Sequence, residues 1–390
     1  MKLQHRILHI CTVVPHKMSG GNIAVRADSI ALSMLFENVD CVCRYQLPSD
    51  IRNLYNTVYY DNNEFKKSEK INNYLRGHFD DFYDFWEKTK HIIDFNSYSL
   101  IFVEFSKYEY IFKDIRHSEF NGVLVLRAHN VEKIFYDAMF SKKKTMINWI
   151  KKTSIQNKER KCLDLSDLII SITENDINDF REVYDTDKSK FRVMPIGVDP
   201  GILREDDIRE FSGGSEKMKC LLTGSLWFGP NVDGIIWFLD EVYGTVSDIC
   251  DITIAGFKPI PELKNRCKLD KIRLIDSPPK MNAYFMSSDM VLVPIFAGSG
   301  MKIKVAEAMS YALPVVTTRH GAIGYEIENG VDGYVVNDAQ EFSNSIKTYY
   351  ALSKLEKMKF KKQVYRKFES KYSYKSMKQI MERNLNKFFD

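Results

Sequence analysis

The chain has 390 residues, 44% of them hydrophobic and 28% charged, with a formal net charge of +4. That length allows two or three domains with sizeable cores, and so small a charge, with no arginine-rich or aromatic-basic repeat, argues against a nucleic-acid partner. No window approaches the roughly 18 apolar residues of a spanning helix, so the chain is expected to be cytoplasmic or peripheral to a membrane. Seven cysteines (Cys11, Cys41, Cys43, Cys162, Cys220, Cys250, Cys267) form no Cys-x-x-Cys pair and lie mostly in apolar runs. They read as buried thiols in a reducing compartment.

Taken in chain order, residues 7–14 are a short apolar run that contains His9 and leads into Pro15-His16-Lys17, which reads as a strand rather than a signal peptide. Ser19-Gly20-Gly21-Asn22 then predicts a tight turn into a helix over 23–36; it lacks Gly-x-Gly-x-x-Gly spacing, so it is no dinucleotide fingerprint. Residues 40–45 predict a second strand, while 50–96 lose strand character. Phe79, Phe82, Tyr83, Phe85 and Trp86 recur there at helical spacing, either as packing or as the lining of an acceptor groove. Residues 99–105, 122–127 and 168–172 are further strands, and repeated βα alternation predicts a parallel sheet covered on both faces. His129 falls at the carboxyl end of one of these strands, where open α/β sheets keep their ligands.

Residues 140–161 concentrate basic side chains: Lys142, Lys143, Lys144, Lys151, Lys152, Lys158, Arg160 and Lys161 face the single acid Glu159. Met146, Ile147, Trp149 and Ile150 interrupt the run. A solvated helix with a few core contacts is one reading; the other is a surface for an anionic bilayer, with Lys142, Lys143, Lys144, Trp149, Lys151 and Lys152 facing the membrane. Asp185-Thr186-Asp187 has the form of a metal-diphosphate motif but sits in a polar turn, and is read as a solvated turn. His5 and His9 lack the glutamate of a zinc helix, and no nucleophile elbow is present.

Residues 199–219 turn charged and glycine-containing, as a linker does. Strands follow at 220–225, 251–256, 272–276, 290–294 and 314–317, with a helix over 232–242 and a helical chain end over 372–389. Between 297 and 311 a glycine-rich turn runs into a helix, with Lys302 expected in its first turn and Glu307 farther along. A strand, a glycine turn and a helix start set unpaired N–H groups and a positive dipole end at one spot, which favours an anion.

Gly298-Ser299-Gly300-Met301-Lys302, the Glu307-Ala-Met segment, Gly321, Gly324 and Asn329-Gly-Val-Asp-Gly333 resemble the donor-nucleotide motif of GT-B glycosyltransferases, specifically the retaining family-4 group. The resemblance implies an α/β fold of two Rossmann-like domains with parallel sheets facing across a cleft: an acceptor-binding domain over 1–198, a linker over 199–217, a nucleotide-sugar domain over 218–371, and a terminal helix over 372–390 crossing back. It implies that Glu307 holds the ribose hydroxyls and that Gly298, Ser299, Gly300, Met301, Gly224, Ser225 and Asn231 line the donor. Ile275 and Ser277 flank the base, Lys302 and His129 are the catalytic side chains, and Gly20 and Gly21 are a cleft loop or merely a turn. Ser299 stands where the family usually has a second glutamate, and the 224–231 loop lacks the usual Arg and Lys. The implied chemistry is transfer with retention, without metal or other cofactor, from a nucleotide sugar to a glycan or lipid-linked acceptor of bacterial surface polysaccharide such as capsule or lipopolysaccharide. A GT-B sugar-nucleotide epimerase and a non-catalytic nucleotide-sugar-binding partner are the alternatives.

Overall fold

The computed structural model describes residues 2–15, 20–61, 82–139, 146–202, 204–208, 217–298 and 300–389, and of residues 138–139 and 146–151 the backbone alone. They form two compact units, Met1–Ile196 with Met377–Asp390 and Gly197–Ser376.

Unit 1 is built on strands β1 (Leu3–Cys11), β2 (Phe36–Cys43), β3 (Val58–Tyr59), β4 (Leu100–Glu104), β5 (Val123–Ala128), β6 (Leu168–Ser171) and β7 (Phe191–Val193). They pair in parallel in the order β3-β2-β1-β4-β5-β6-β7. Helices cover the sheet: α1 (Gly20–Leu35), α2 (Phe82–Thr89), α3 (Glu109–His117), α4 (Glu132–Met139), α5 (Met146–Leu165) and α6 (Glu174–Tyr184). Central strands buried on both faces explain the unbroken apolar runs, with Ile7, Leu8, Ile10 and Leu100 to Val103 fully buried.

Three expectations are corrected here. Gly20 and Gly21 are the first residues of α1 rather than a turn, and neither has a positive φ. The helix ends at Leu35, because Phe36 already opens β2. The polar stretch after residue 50 contains a strand after all, since β3 finds its partner in β2. Of the aromatic stripe, Phe82, Phe85 and Trp86 are buried, and Trp86 donates to Asp114 at 2.8 Å, so it packs; Phe79 lies outside the described residues. Asp185 ends α6 in a left-handed conformation and Asp187 caps the next turn by accepting from Ser189 N at 2.8 Å. His5 stacks on Phe389 at 4.2 Å, the chain end having returned to unit 1 through α12 (Tyr374–Leu385).

Unit 2 repeats the plan with β8 (Met218–Ser225), β9 (Cys250–Phe257), β10 (Arg273–Asp276), β11 (Met290–Val293), β12 (Val315–Thr318) and β13 (Tyr334–Val336), parallel in the order β10-β9-β8-β11-β12-β13. Its helices include α7 (Gly229–Trp237), α8 (Pro261–Leu269), α9 (Ile303–Ser310), α10 (Ala339–Ala351) and α11 (Lys354–Lys371). The described part of the stretch expected as a linker is docked on this unit: Ile202 N donates to Ser310 O at 3.0 Å, and Glu205 pairs with Arg366 at 2.8 Å. All seven cysteines are free and buried. In both sheets the strand order reverses beside the first strand, at β1/β4 and at β8/β11, which are the switch points where such sheets bind ligands.

Candidate functional site

The switch point of unit 2 gathers most of the sequence-expected donor residues. β8 is buried from Cys220 to Thr223 and then opens at Gly224, whose φ is +144°. A Cβ at Gly224 would lie 2.7 Å from Lys304 Nζ and 2.9 Å from Asn231 Nδ2, so only glycine fits. Asn231, in the first turn of α7, donates from Nδ2 to the Ser225 carbonyl at 3.0 Å and accepts from Lys304 Nζ at 3.0 Å. Lys304 also donates to the Thr223 carbonyl. α7 lies this tightly against the sheet because Gly234 faces the Pro294 carbonyl, where a Cβ would approach to 1.7 Å.

The turn ahead of α9 uses Gly298 at φ +97° and Gly300 at φ +73°, conformations that L side chains rarely adopt. Lys302 is the residue before the helix, with φ −89° and ψ 89°, rather than a first-turn residue as expected. Its ammonium donates to the carbonyls of Gly298 at 3.0 Å and Gly300 at 2.6 Å, so part of its charge is engaged in ordering the turn. The Tyr325 hydroxyl fixes the helix start, donating to Lys302 O at 3.0 Å and accepting from Ala306 N at 3.2 Å. Met301 is buried beneath the turn, and Ser299 lies outside the described residues. Glu307 is half-buried, and its charge raises the pKa of Tyr311 and Tyr325 on top of the effect of their burial.

Ile275 and Ser277 belong to the edge of the sheet. Ser277, at φ +51°, donates from its N–H to Gly256 O at 2.8 Å, and Gly256 pairs in register with Gly224. Ser277, Gly256, Gly224, Asn231 and Lys304 therefore make one continuous row across the strand ends. Exposed aromatics flank it, Trp227 at 57% and Phe257 at 37%. Neither these rings nor Lys304 is among the donor residues expected from sequence; the signal for Lys304 is a lysine interrupting an apolar helix beside a loop without charge.

Unit 1 carries a buried polar network at its own switch point. Glu104, at the end of β4, lies 2.6 Å from His9 Nε2 through one oxygen and 2.5 Å from His129 Nε2 through the other, and His9 Nδ1 meets the Tyr55 hydroxyl at 2.7 Å. Burial would raise the Glu104 carboxyl, but the hydrogen bonds from His129 and His9 bring it down to about 2. Burial would lower His9, but Cys11 and Glu104 beside it raise it above its ordinary value. The Cys11 thiol is itself driven well up by burial and stays neutral, so the lasting partner of the imidazolium is Glu104. Beside them Arg127 donates to Asp28 at 3.1 Å with both side chains fully buried; burial lifts Asp28 to about 6 despite the guanidinium.

His129 is positioned by Glu104 at Nε2 and by Phe105 against its ring. Phe105, in a left-handed conformation at φ +66°, packs on its ring at 4.3 Å between centroids. The helix that follows, α4, is capped by Glu159, whose carboxylate accepts from Glu132 N at 2.8 Å, Lys133 N at 3.0 Å, Ser106 Oγ at 2.5 Å and Tyr184 Oη at 2.6 Å. Gly21 stands nearby, its Cβ position 3.4 Å from Phe105, an ordinary contact that does not demand glycine. Asp28, Glu104 and His129 offer ligand atoms within 4.8 Å of one another. The two carboxylates are already matched by Arg127 and by the His9 imidazolium, so a dication is not needed to balance them.

Two parallel sheets, each reversing order beside its first strand, define a GT-B fold, and solved structures of that fold superpose on almost the whole chain. Anabaena HepE, crystallised in complex with UDP, matches with a TM-score of 0.68 at 13% identity, covering 98% of this chain and 100% of that one. Sucrose-phosphate synthase from Thermosynechococcus elongatus matches at 0.71 and 14% identity over 99% of each, and WaaG, a glycosyltransferase involved in lipopolysaccharide biosynthesis, at 0.62 and 14% over 97% of this chain and 99% of its own. Residues 217–351, the body of unit 2, match the family Glycosyl transferases group 1. A Klebsiella pneumoniae protein described as an uncharacterized 44.6 kDa protein in the cps region is 24% identical over 258 residues, 62% of this chain. The chain spans 63% of the length of that relative.

Among the described residues no helix is long and apolar enough to cross a membrane. Of the residues expected to face one, Lys142, Lys143 and Lys144 lie outside the described residues and Trp149 and Lys151 are described by backbone alone. Lys152 pairs with Asp137 at 3.2 Å.

Proposed function

We propose that the protein is a glycosyltransferase that moves a sugar from a nucleotide-sugar donor to a glycan or lipid-linked acceptor, with retention at the anomeric carbon and without a metal. The observation that carries this reading is the row of strand-end and helix-start groups in unit 2, which lies in the segment matching the glycosyltransferase family. In this reading Glu307 accepts the ribose hydroxyls, Ile275 and Ser277 flank the base, and Gly224, Ser225, Asn231 and the turn of Gly298, Ser299, Gly300 and Met301 line the diphosphate and sugar. Lys302 and the start of α9 stabilise the leaving phosphate, whose charge grows as the bond breaks. His129, held by Glu104, contacts the donor sugar, and the start of α1 at Gly20 and Gly21 belongs to the same part of unit 1. Charge balance among Asp28, Arg127, Glu104 and His9 supports chemistry without a dication.

UDP sugars are the first donors to try, because HepE was crystallised with UDP and with UDP-glucose. A cps-region relative and a lipopolysaccharide enzyme of the same fold support a surface-polysaccharide acceptor, and hence work at the inner face of the cytoplasmic membrane. The test is nucleoside diphosphate release from UDP, GDP, ADP and CMP sugars with and without lipid-linked glycans, with chelator present, and NMR of the product's anomeric centre. Acceptor-dependent release with retention supports the reading. Isomerised donor without acceptor indicates an epimerase, binding without turnover a non-catalytic partner, and no binding at all removes the donor site.

A further inference from the structure

The carboxyl edge of unit 2 has an uneven distribution of charge. The β8–α7 segment from Thr223 to Asn231 contains no charged residue, and the Lys302 ammonium is engaged by the carbonyls of Gly298 and Gly300. Lys304 reaches the uncharged segment from the neighbouring helix: it donates to Thr223 O and Asn231 Oδ1 and occupies the space that a side chain on Gly224 would fill. An ammonium has three protons to donate. These two acceptors take two of them, and no further hydrogen-bond partner is found among the described residues.

We propose that Lys304 is the cation of the β8–α7 turn, donating its third N–H to the diphosphate of the donor between Gly224 and Asn231. This rests on the donor-site reading above and adds to it a specific phosphate contact. A phosphate over Gly224 meets backbone without a Cβ, the Asn231 amide and the ammonium together, the combination that anion sites of open sheets use. Before a ligand arrives, desolvation brings Lys304 down to about 8, with Glu307 opposing and Lys302 reinforcing the shift. The groups facing it from β8 and α7, the Thr223 carbonyl, Gly224 and Asn231, do not titrate. The carboxylate of α7, Asp233, is turned toward Gly229, and Tyr325 stays neutral because burial drives its hydroxyl well up. An arriving anion favours the ammonium, so binding near pH 8 takes up a proton.

The experiment is titration calorimetry of the full chain with UDP, GDP, ADP and CDP and with the matching nucleosides, in two buffers of different ionisation enthalpy, at pH 6.5 and 8.5. At pH 8.5 the terminal phosphate, with a second pKa of about 6, is fully ionised and takes up nothing itself. Expected are uptake of more than about half a proton per diphosphate at pH 8.5, little at pH 6.5, and none with nucleoside. Lys304→Met and Lys304→Gln are expected to abolish the uptake and weaken diphosphate binding by at least about tenfold, leaving nucleoside affinity within about twofold. Wild type without proton uptake, uptake that persists in the variants, or equal losses for nucleoside and diphosphate each overturn the inference while leaving the donor site standing. If neither variant folds, the wild-type comparison of diphosphate with nucleoside decides alone. A wild type that binds none of the diphosphates overturns the donor-site reading, and this inference with it.

Discussion

Glu104 and His129 share a hydrogen bond of 2.5 Å across two neighbouring strands, and the other oxygen of Glu104 lies 2.6 Å from His9. One buried carboxylate thus fixes both the orientation of the histidine assigned to the donor sugar and the charge of the one behind it. In Glu104→Gln the turnover number is expected to fall about 10- to 100-fold with donor KM changed less, since a misplaced catalytic group costs rate rather than ground-state binding. Stability changes with a defined pH window. His9 is raised above 6.5, so its contribution is complete below pH 6.5 and lost as pH rises through the raised value. Glu104 is lowered from 4.5 to about 2, so its contribution is present above pH 4.5 and lost as pH falls through about 2. The melting-temperature gap between wild type and Glu104→Gln is therefore widest between about pH 4.5 and 6.5 and closes as pH rises further; a gap independent of pH rejects the ion pair.

Glu159 presents the opposite sign. Burial raises it from 4.5 to about 7, with the bonds from Ser106 and Tyr184 opposing. The folded chain then holds a proton that the unfolded chain has lost, so this group's contribution declines as pH rises from about 4.5 to 7. Glu159→Gln keeps the shape without the titration. Thermal melts are expected to show it less stable than wild type at pH 5 and nearer to it at pH 8. Glu159→Ala leaves the α4 amides and two hydroxyls unpaired and is expected to cost about 3 kcal/mol or more, with hydrogen exchange rising first over α4.

Both sheets were legible from βα alternation, because parallel strands covered on both faces need continuous apolar runs that spacing alone reveals. The glycine turn at 298–301 was legible for a similar reason: positive φ at Gly298 and Gly300 leaves a mark in residue type. Gly20 and Gly21 misled, since glycine permits a turn without requiring one and tertiary packing drew them into α1. The helical period sets Lys304 some 200° around from Lys302, away from the glycine turn. The length of the lysine side chain nonetheless carries its ammonium to Thr223, 81 residues earlier, a contact that no local pattern marks. His9 and Glu104 are 95 residues apart, and no local pattern could have paired them.

With Glu307 proposed to hold the ribose through charge-assisted hydrogen bonds worth roughly 1.5–3 kcal/mol each, Glu307→Ala is expected to lower nucleotide affinity about tenfold or more without loss of fold. Calorimetry with the preferred nucleoside diphosphate reads this directly, and unchanged affinity rejects the ribose assignment. Lys302→Ala is expected to lower turnover more than binding, because the phosphate's charge is greatest as it leaves. The variant also releases the carbonyls of Gly298 and Gly300, so part of the loss reflects a looser turn. Lys302→Arg separates the two effects: it keeps the charge, and recovery of turnover in it indicates electrostatics rather than turn geometry. Equal turnover in Lys302→Ala would transfer the role to Lys304.

The basic run at 140–161 leads to the last prediction, binding to anionic bilayers. Described neighbours already temper part of its charge: Lys152 pairs with Asp137 at 3.2 Å and Lys158 lies 3.9 Å from Glu109. The burden of membrane attraction then falls on Lys142, Lys143, Lys144 and Lys151, with Trp149 as the apolar contact. Each lysine near an anionic surface contributes about 1 kcal/mol, so replacing those four by Gln is expected to weaken vesicle binding by at least about a hundredfold. Lys152→Gln alone is expected to change little, because its charge is shared with Asp137. Binding must also decline with salt, since the screening length shrinks to about 10 Å at 0.1 M ionic strength. Cosedimentation with vesicles rich in phosphatidylserine, against neutral phosphatidylcholine, measures all three quantities. If the protein ignores anionic vesicles at low salt, or if the fourfold variant binds as wild type does, the run is a solvated helix face and a soluble acceptor becomes the better reading.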